Sequence, residues 1–342
     1  MTLATLTAEE AAVTQITDYN TDPRLSRETK VFLKALNAGG KPLETLSAAD
    51  ARLVLVHGQQ AAQVDLSGIE VSEKTITADG YTVPLYIVRP EGVKEELPVV
   101  MFIHGGGWVL GDFPTHQRMV RDLVVESGFA AVFVEYTRTP DARFPQAINE
   151  IYAATKWVAQ HGKEINVDGT NMAIAGNSVG GNMSTVTTLM AKEKGGPHIK
   201  VQVLFWPIVD ANFETGSYQQ FGQDRFLTVP TMKWMYDMYI ADPAKRKDIH
   251  ASPLQASVEQ LQGLPPAVIM VAESDILRAE GEAYGRKLDE AGVPVTTLRY
   301  NGMIHDFGML NGLAHIPQTR SLFVQAGAEL RKYLAPKGLA PE

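Results

Sequence analysis

The residues best placed to do chemistry form the segment Gly176-Asn177-Ser178-Val179-Gly180-Gly181, which follows the apolar run 172–175 and precedes a stretch able to form a helix. A G-x-S-x-G pattern between a strand and a helix is the nucleophile elbow, a sharp turn that lifts a serine hydroxyl above the end of a sheet. Side chains in place of the flanking glycines would collide with the neighbouring strand and helix. Taken alone the pattern is weak, because a Gly/Ser-rich turn after a strand is common. A second motif upstream, His104-Gly105-Gly106-Gly107-Trp108, ends another apolar run. A glycine run there supplies backbone N–H groups to a developing oxyanion. The two motifs together point to a serine hydrolase.

A serine hydroxyl is a poor nucleophile until a base takes its proton. After an elbow serine the partners follow in the order Asp or Glu, then His. The downstream candidates for the base are His250, His305 and His315. His305 sits in the loop 301–307, directly after the last strand-like run, and this position favours it. For the acid, the end of the preceding strand offers Glu273 and Asp275. Asp275 opens the turn into the next helix and could serve only as its N-cap; Glu273, the rival, lies nearer the strand interior. In the resulting scheme His305 takes the Ser178 proton and returns it to the leaving group. Asp275 fixes the imidazole tautomer and stabilises the imidazolium. The N–H groups of Gly105, Gly106 and Val179 bind the oxyanion.

Positioning such a set requires a sheet, and the hydrophobic pattern provides one. Residues 69–76 alternate and 81–88 are β-branched and aromatic, with Asp79-Gly80 as a hairpin turn between them. Buried strands are expected at 98–103, 129–135, 172–175, 201–206, 267–272 and 295–300, and helices at 116–127, 146–161, 178–193, 279–291 and 319–334. Strands alternating with helices mean a mostly parallel sheet covered on both faces, here of about eight strands with an antiparallel edge. The first sixty or so residues read as helical, with Ser26 and Ser47 as N-caps. Between 209 and 254 the alternation breaks, and Phe, Tyr, Trp and Met accumulate. That segment reads either as a lid over the catalytic face or as a core helix near 234–240.

The chain has 342 residues, 45% of them apolar, enough for a large buried core. A net charge of −8 argues against nucleic acid or an anionic membrane as partner. With no cysteine, disulfides, thiolate nucleophiles and Cys-based zinc sites are excluded. No apolar stretch reaches the length of about 18 residues needed to span a bilayer, and the first residues lack the pattern of a signal peptide, so a cytoplasmic location is expected. No H-E-x-x-H motif, phosphate loop or dinucleotide fingerprint occurs, so no metal or other cofactor is expected.

Five segments in this order make the chain resemble the hormone-sensitive-lipase-like branch of the α/β-hydrolases, the bacterial family IV carboxylesterases. They are residues 104–108, 136–145, the elbow, 275–281 and 302–305. The resemblance implies an α/β-hydrolase core at 63–208 and 255–342, with a helical cap built from 1–62 and from the insertion 209–254. It implies a carboxylesterase for small-molecule esters, working through Ser178, Asp275 and His305 and an acyl-enzyme. It makes His104 a structural support of the glycine loop and Trp108 a wall of the substrate pocket, with packing as the alternative. An aromatic cap, Trp108 and Val179 would restrict the pocket to short acyl chains. Long-chain lipolysis and amide cleavage are the rival activities. A non-catalytic receptor on this fold is disfavoured by the intact Ser178, Asp275 and His305. The family's common elbow reads Gly-Asp-Ser-Ala-Gly-Gly, and here Asn177 and Val179 depart from it. The oligomeric state stays open, a homodimer included.

Overall fold

The computed structural model describes residues 18–335. Its strands are β1 (Ile69–Ala78), β2 (Tyr81–Pro90), β3 (Leu97–Ile103), β4 (Ala130–Val134), β5 (Val167–Asn177), β6 (Gln202–Phe205), β7 (Ala267–Ala272) and β8 (Val295–Tyr300). They form one eight-stranded sheet in the order β1-β2-β4-β3-β5-β6-β7-β8. The hairpin β1–β2 and the β2–β4 pair are antiparallel, and every other pair is parallel. Asp79 and Gly80 both have positive φ, 51° and 84°, the backbone that a tight two-residue hairpin loop demands.

The central strands carry no polar alternation because both of their faces are covered. In β3, Met101 and Ile103 enter one core with Ile148 and Ile151 of α4 (Gln146–His161) and Met183 and Val186 of α5 (Val179–Lys194). Val100 and Phe102 point the other way, against Met119 and Leu123 of α3 (Phe113–Ser127) and Leu322 and Phe323 of α10 (Pro317–Leu334). The period of two in side-chain direction thus feeds two helical layers.

Helix α3 starts at Phe113, three residues before the expected 116, because Asp112 and Thr115 form a reciprocal capping box. Strand β6 ends at Phe205, so Trp206 falls outside it with a φ of 36°. Strand β5 begins earlier than expected, and its pairing to β3 shifts register between Pro98 and Val99. Part of the N-terminal expectation, residues 1–17, lies outside the described residues. Beyond it, α1 (Arg27–Leu36) and α2 (Ala48–Gln60) start where expected, with the hydroxyls of Ser26 and Ser47 accepting from the amides of Thr29 and Asp50. Residues 209–254 fold into two short helices, α6 (Gly216–Phe221) and α7 (Val229–Tyr239), and connecting turns. The remaining helices are α8 (Val258–Leu261) and α9 (Arg278–Glu290). No helix among the described residues is long and apolar enough to cross a membrane.

Candidate active site

Strand β5 runs directly into the elbow. Ser178 adopts φ 55° and ψ −121°, a conformation that L-residues rarely hold unless their surroundings enforce it. The enforcement is steric and local. A Cβ on Gly180 would lie 2.0 Å from the Ile103 carbonyl oxygen of β3, so the first turn of α5 presses against the neighbouring strand. Gly180→Ala is therefore expected to cost about 3 kcal/mol or more of stability, seen as a lower Tm or loss of soluble protein. An unchanged Tm would show that the elbow can relax.

The turn presents Ser178 Oγ 3.0 Å from His305 Nε2, and His305 Nδ1 stands 2.7 Å from Asp275 Oδ2. All three residues are buried. Asp275 follows β7, and its other oxygen accepts the Leu277 amide at 2.9 Å, so the same carboxylate caps the turn and orients the histidine. Glu273 does neither. Its Oε2 accepts the Gly302 amide at 2.8 Å, which ties down the loop that leads to His305. His250 pairs with Glu193 on the surface, and no contact brings His315 to Ser178.

Burial works against a charge on His305, but the carboxylates of Asp275 and Asp306 outweigh it and hold the histidine pKa above its ordinary 6.5. With Asp275 accepting from Nδ1–H, Nε2 is left as the lone-pair nitrogen facing Ser178. A general base of raised pKa is a stronger base but is disabled at higher pH than usual.

The glycine loop departs from expectation at one residue. The N–H of Gly105 donates to Asn177 Oδ1 at 2.9 Å, which withdraws it from the oxyanion donors. Gly106 and Gly107, not Gly105, line the cavity beside Ser178 and His305. His104 is structural: its Nδ1 lies 2.8 Å from the Gly105 carbonyl, and its ring stacks on Tyr136 at 4.1 Å. Burial keeps its pKa well below the usual histidine range, so it carries no charge to the site.

Trp108 is the second departure. It does not border the cavity. Its ring stacks on Tyr239 at 4.2 Å and meets Tyr236 edge-on at 5.0 Å, which pins the glycine loop to α7. The Val179 side chain likewise belongs to the core and does not narrow the pocket. The wall of the cavity is instead Leu43, Leu55, Ile208, Phe226, Met232 and Met235, with Thr231 and Asp306 as its polar members. Residues from the N-terminal helical region and from the insertion thus cover Ser178. The enclosed cavity measures about 40 Å³. A larger open cleft of about 550 Å³ lies elsewhere, between β1–β2 and residues 163–166. In it Lys74 pairs with Glu164 and Lys94 with Glu70, Arg89 donates to the Glu95 carbonyl, and it holds none of the nucleophile, base or acid.

Three residues of the site were not assigned from sequence. Asp306 adjoins His305 and Asn177, and Trp206 donates to Asp306 and meets the His305 ring edge-on. Glu280, inside a recognised segment but without an assigned role, is buried and accepts the amides of Val209 and Asp210, fixing the chain where it leaves β6 for the insertion. Burial raises its carboxyl pKa far above the usual value.

No cluster of His, Cys, Asp and Glu suited to a metal ion occurs among the described residues.

The comparisons with known proteins identify the fold and the family. The alpha/beta hydrolase fold family matches residues 100–309. An esterase of known structure from Pseudomonas putida is 58% identical and superposes with a TM-score of 0.91, covering 92% of this chain and 99% of that one. The ethyl acetate hydrolase of Pseudomonas putida is 30% identical over 83% of this chain and 92% of its own length. Carboxylesterase NlhH of Mycobacterium tuberculosis is 32% identical over 79% and 84%. The chain belongs to the alpha/beta hydrolase family, in its hormone-sensitive-lipase-like esterase branch, and is a carboxylic ester hydrolase.

Proposed function

We propose that the enzyme cleaves esters of short acyl chains, about two to eight carbons, with Ser178 as nucleophile, His305 as base and acid, and Asp275 as its orienting carboxylate. The observation that carries this is the unbroken contact from Asp275 Oδ2 through His305 to Ser178 Oγ, 2.7 and 3.0 Å. His305 Nε2 takes the Ser178 proton as Oγ bonds to the ester carbonyl carbon. The carbonyl oxygen becomes an oxyanion, held by the N–H groups of Gly106, Gly107 and Val179. The imidazolium then protonates the departing alcohol, leaving an acyl-serine. Water, deprotonated by His305, attacks that ester and releases the acid and Ser178.

Chain length follows from the cavity. The cavity beside Ser178 is small, and its wall of Leu, Ile, Phe and Met side chains suits a short hydrocarbon chain rather than charge. A relative named ethyl acetate hydrolase supports the same end of the size range. The test is kcat/KM for aryl esters from two to sixteen carbons. A maximum below eight carbons is expected; a maximum at sixteen with activation at an oil–water interface would establish a lipase instead.

A pH dependence follows from the same chemistry. The base acts only when neutral, so kcat/KM should fall as pH drops through the His305 pKa, which is raised above 6.5. An acid limb with its midpoint below 6 would contradict the influence of Asp275 and Asp306 on that ring.

A further inference from the structure

Asn177 is fully buried, and each polar group of its amide has a partner. Its Oδ1 accepts the Gly105 N–H at 2.9 Å. Its Nδ2 donates to Asp306 Oδ1 at 2.9 Å and faces His116 Nε2 at 3.4 Å. Asp306 Oδ1 also accepts the Trp206 indole N–H at 2.6 Å. The other oxygen, Oδ2, reaches to 3.7 Å from His305 Nε2, the nitrogen that faces Ser178. Asp306 itself has a φ of 59°, so its backbone is held in an unfavourable region to aim this carboxylate.

The identity of residue 177 follows from that arrangement. An aspartate there would set one carboxylate oxygen against another at hydrogen-bond distance, and two carboxylates so placed cannot both ionise without strong repulsion. The amide is the neutral isostere that can donate toward Asp306 while accepting from Gly105. In this geometry an Asp before the serine and a carboxylate at 306 cannot both be ionised without strong repulsion.

We propose that Asn177 and Asp306 are a charge-matched positioning pair. The neutral amide holds a second carboxylate beside the reactive nitrogen of His305, and the same amide ties the glycine loop to the loop of His305. The inference rests on the Ser178-His305-Asp275 reading and adds to it. The groups facing the pair are known: Asp275 lies on the far side of His305 at Nδ1, Trp206 donates from the end of β6, and His116 stands behind Asn177. Burial lowers the His116 pKa despite Asp306, which disfavours a charge behind Asn177. Arg118 on α3 is engaged by Asp122 at 2.9 Å and by the Gly308 carbonyl.

The test compares wild type, Asn177→Asp, Asp306→Asn and the double variant across pH 5 to 10, with kcat/KM on a short aryl ester. In Asn177→Asp the carboxylate pair raises one carboxyl pKa. Below that pKa the shared proton replaces the amide donor, and activity should stay within about tenfold of wild type. Above it the proton is lost, and kcat/KM should fall a further ten- to a hundredfold, an alkaline limb that wild type lacks. In the double variant the amide now at position 306 can turn its NH2 to the carboxylate now at position 177. Most of the alkaline loss should return, though not all, because Trp206 gives up its acceptor. Asp306→Asn alone should move the acid limb down by about half to one pH unit, since it removes one of two carboxylates that favour the imidazolium.

A pH profile of Asn177→Asp parallel to wild type, or an equal loss at all pH values with no recovery in the double variant, would overturn the pairing. If Asn177→Asp does not fold, a folded and active double variant supports the pairing, and an unmoved acid limb in Asp306→Asn refutes it. Labelling of Ser178 by an organophosphonate in wild type separates the two readings: an unlabelled Ser178 sinks the triad, whereas a labelled Ser178 with the profiles unchanged sinks the pair alone.

Discussion

Ser178→Ala is expected to lower kcat by about 10⁶-fold, the scale seen when the nucleophile of a serine hydrolase is deleted, while leaving the fold intact. The reason is geometric. Ser178 Oγ is the oxygen held by His305 Nε2, at 3.0 Å, and losing it leaves the base with no proton to take. Residual turnover would come from water activated by His305 and from the remaining backbone donors. The substitution removes one oxygen from a turn whose shape is set by backbone and glycine contacts, so the Tm should change by only a few degrees. The organophosphonate should modify Ser178 in wild type and nothing in the variant. Labelling of another serine, with esterase activity kept in Ser178→Ala, would show that the nucleophile has been misidentified.

What is legible in the sequence is what short-range backbone chemistry dictates. The elbow, the glycine loop and the Asp79-Gly80 hairpin can be read because their conformations require glycine or a turn former at fixed positions. The parallel strands are visible as apolar runs, since burial on both faces erases alternation. His305 and Asp275 can be placed by their position at strand ends, although choosing Asp275 over Glu273 needs the contact to Nδ1.

Sequence reading fails where an atom's partner comes from far along the chain. Gly105 reads as an oxyanion donor because nothing in its motif reveals that Asn177, 72 residues later, takes its N–H. Trp108 sits beside the glycines in sequence, yet its partners are Tyr236 and Tyr239 of α7. Only the docking of that helix decides whether the ring faces substrate or packing. Asp306 is silent in the sequence because its contacts to Asn177 and Trp206 span 129 and 100 residues. Its proximity in sequence to His305 carries no signal of function on its own. The departure of Asn177 from the usual elbow is the one visible trace of that contact, and it becomes interpretable only with Asp306 beside it.

Asp275→Asn is expected to reduce kcat by about 10⁴-fold, with little change in KM. Asp275 Oδ2 accepts from His305 Nδ1 at 2.7 Å, and Oδ1 accepts the Leu277 amide at 2.9 Å. An asparagine can satisfy only one of these with its carbonyl oxygen. The backbone amide of Leu277 is an obligate donor, so the asparagine oxygen should stay there and its NH2 should face Nδ1. The imidazole must then place its lone pair on Nδ1 and its proton on Nε2, toward Ser178. The base would present a proton where it has to accept one, and the imidazolium would lose its nearest counter-charge. Asp306, 3.7 Å from Nε2, stands on the wrong side of the ring to restore the tautomer. Glu273→Gln is the matched control. Its oxygen can still accept the Gly302 amide, so activity should stay within about tenfold of wild type. A severe loss in Glu273→Gln with a mild one in Asp275→Asn would assign the acid to Glu273 and overturn the role drawn from the 2.7 Å contact.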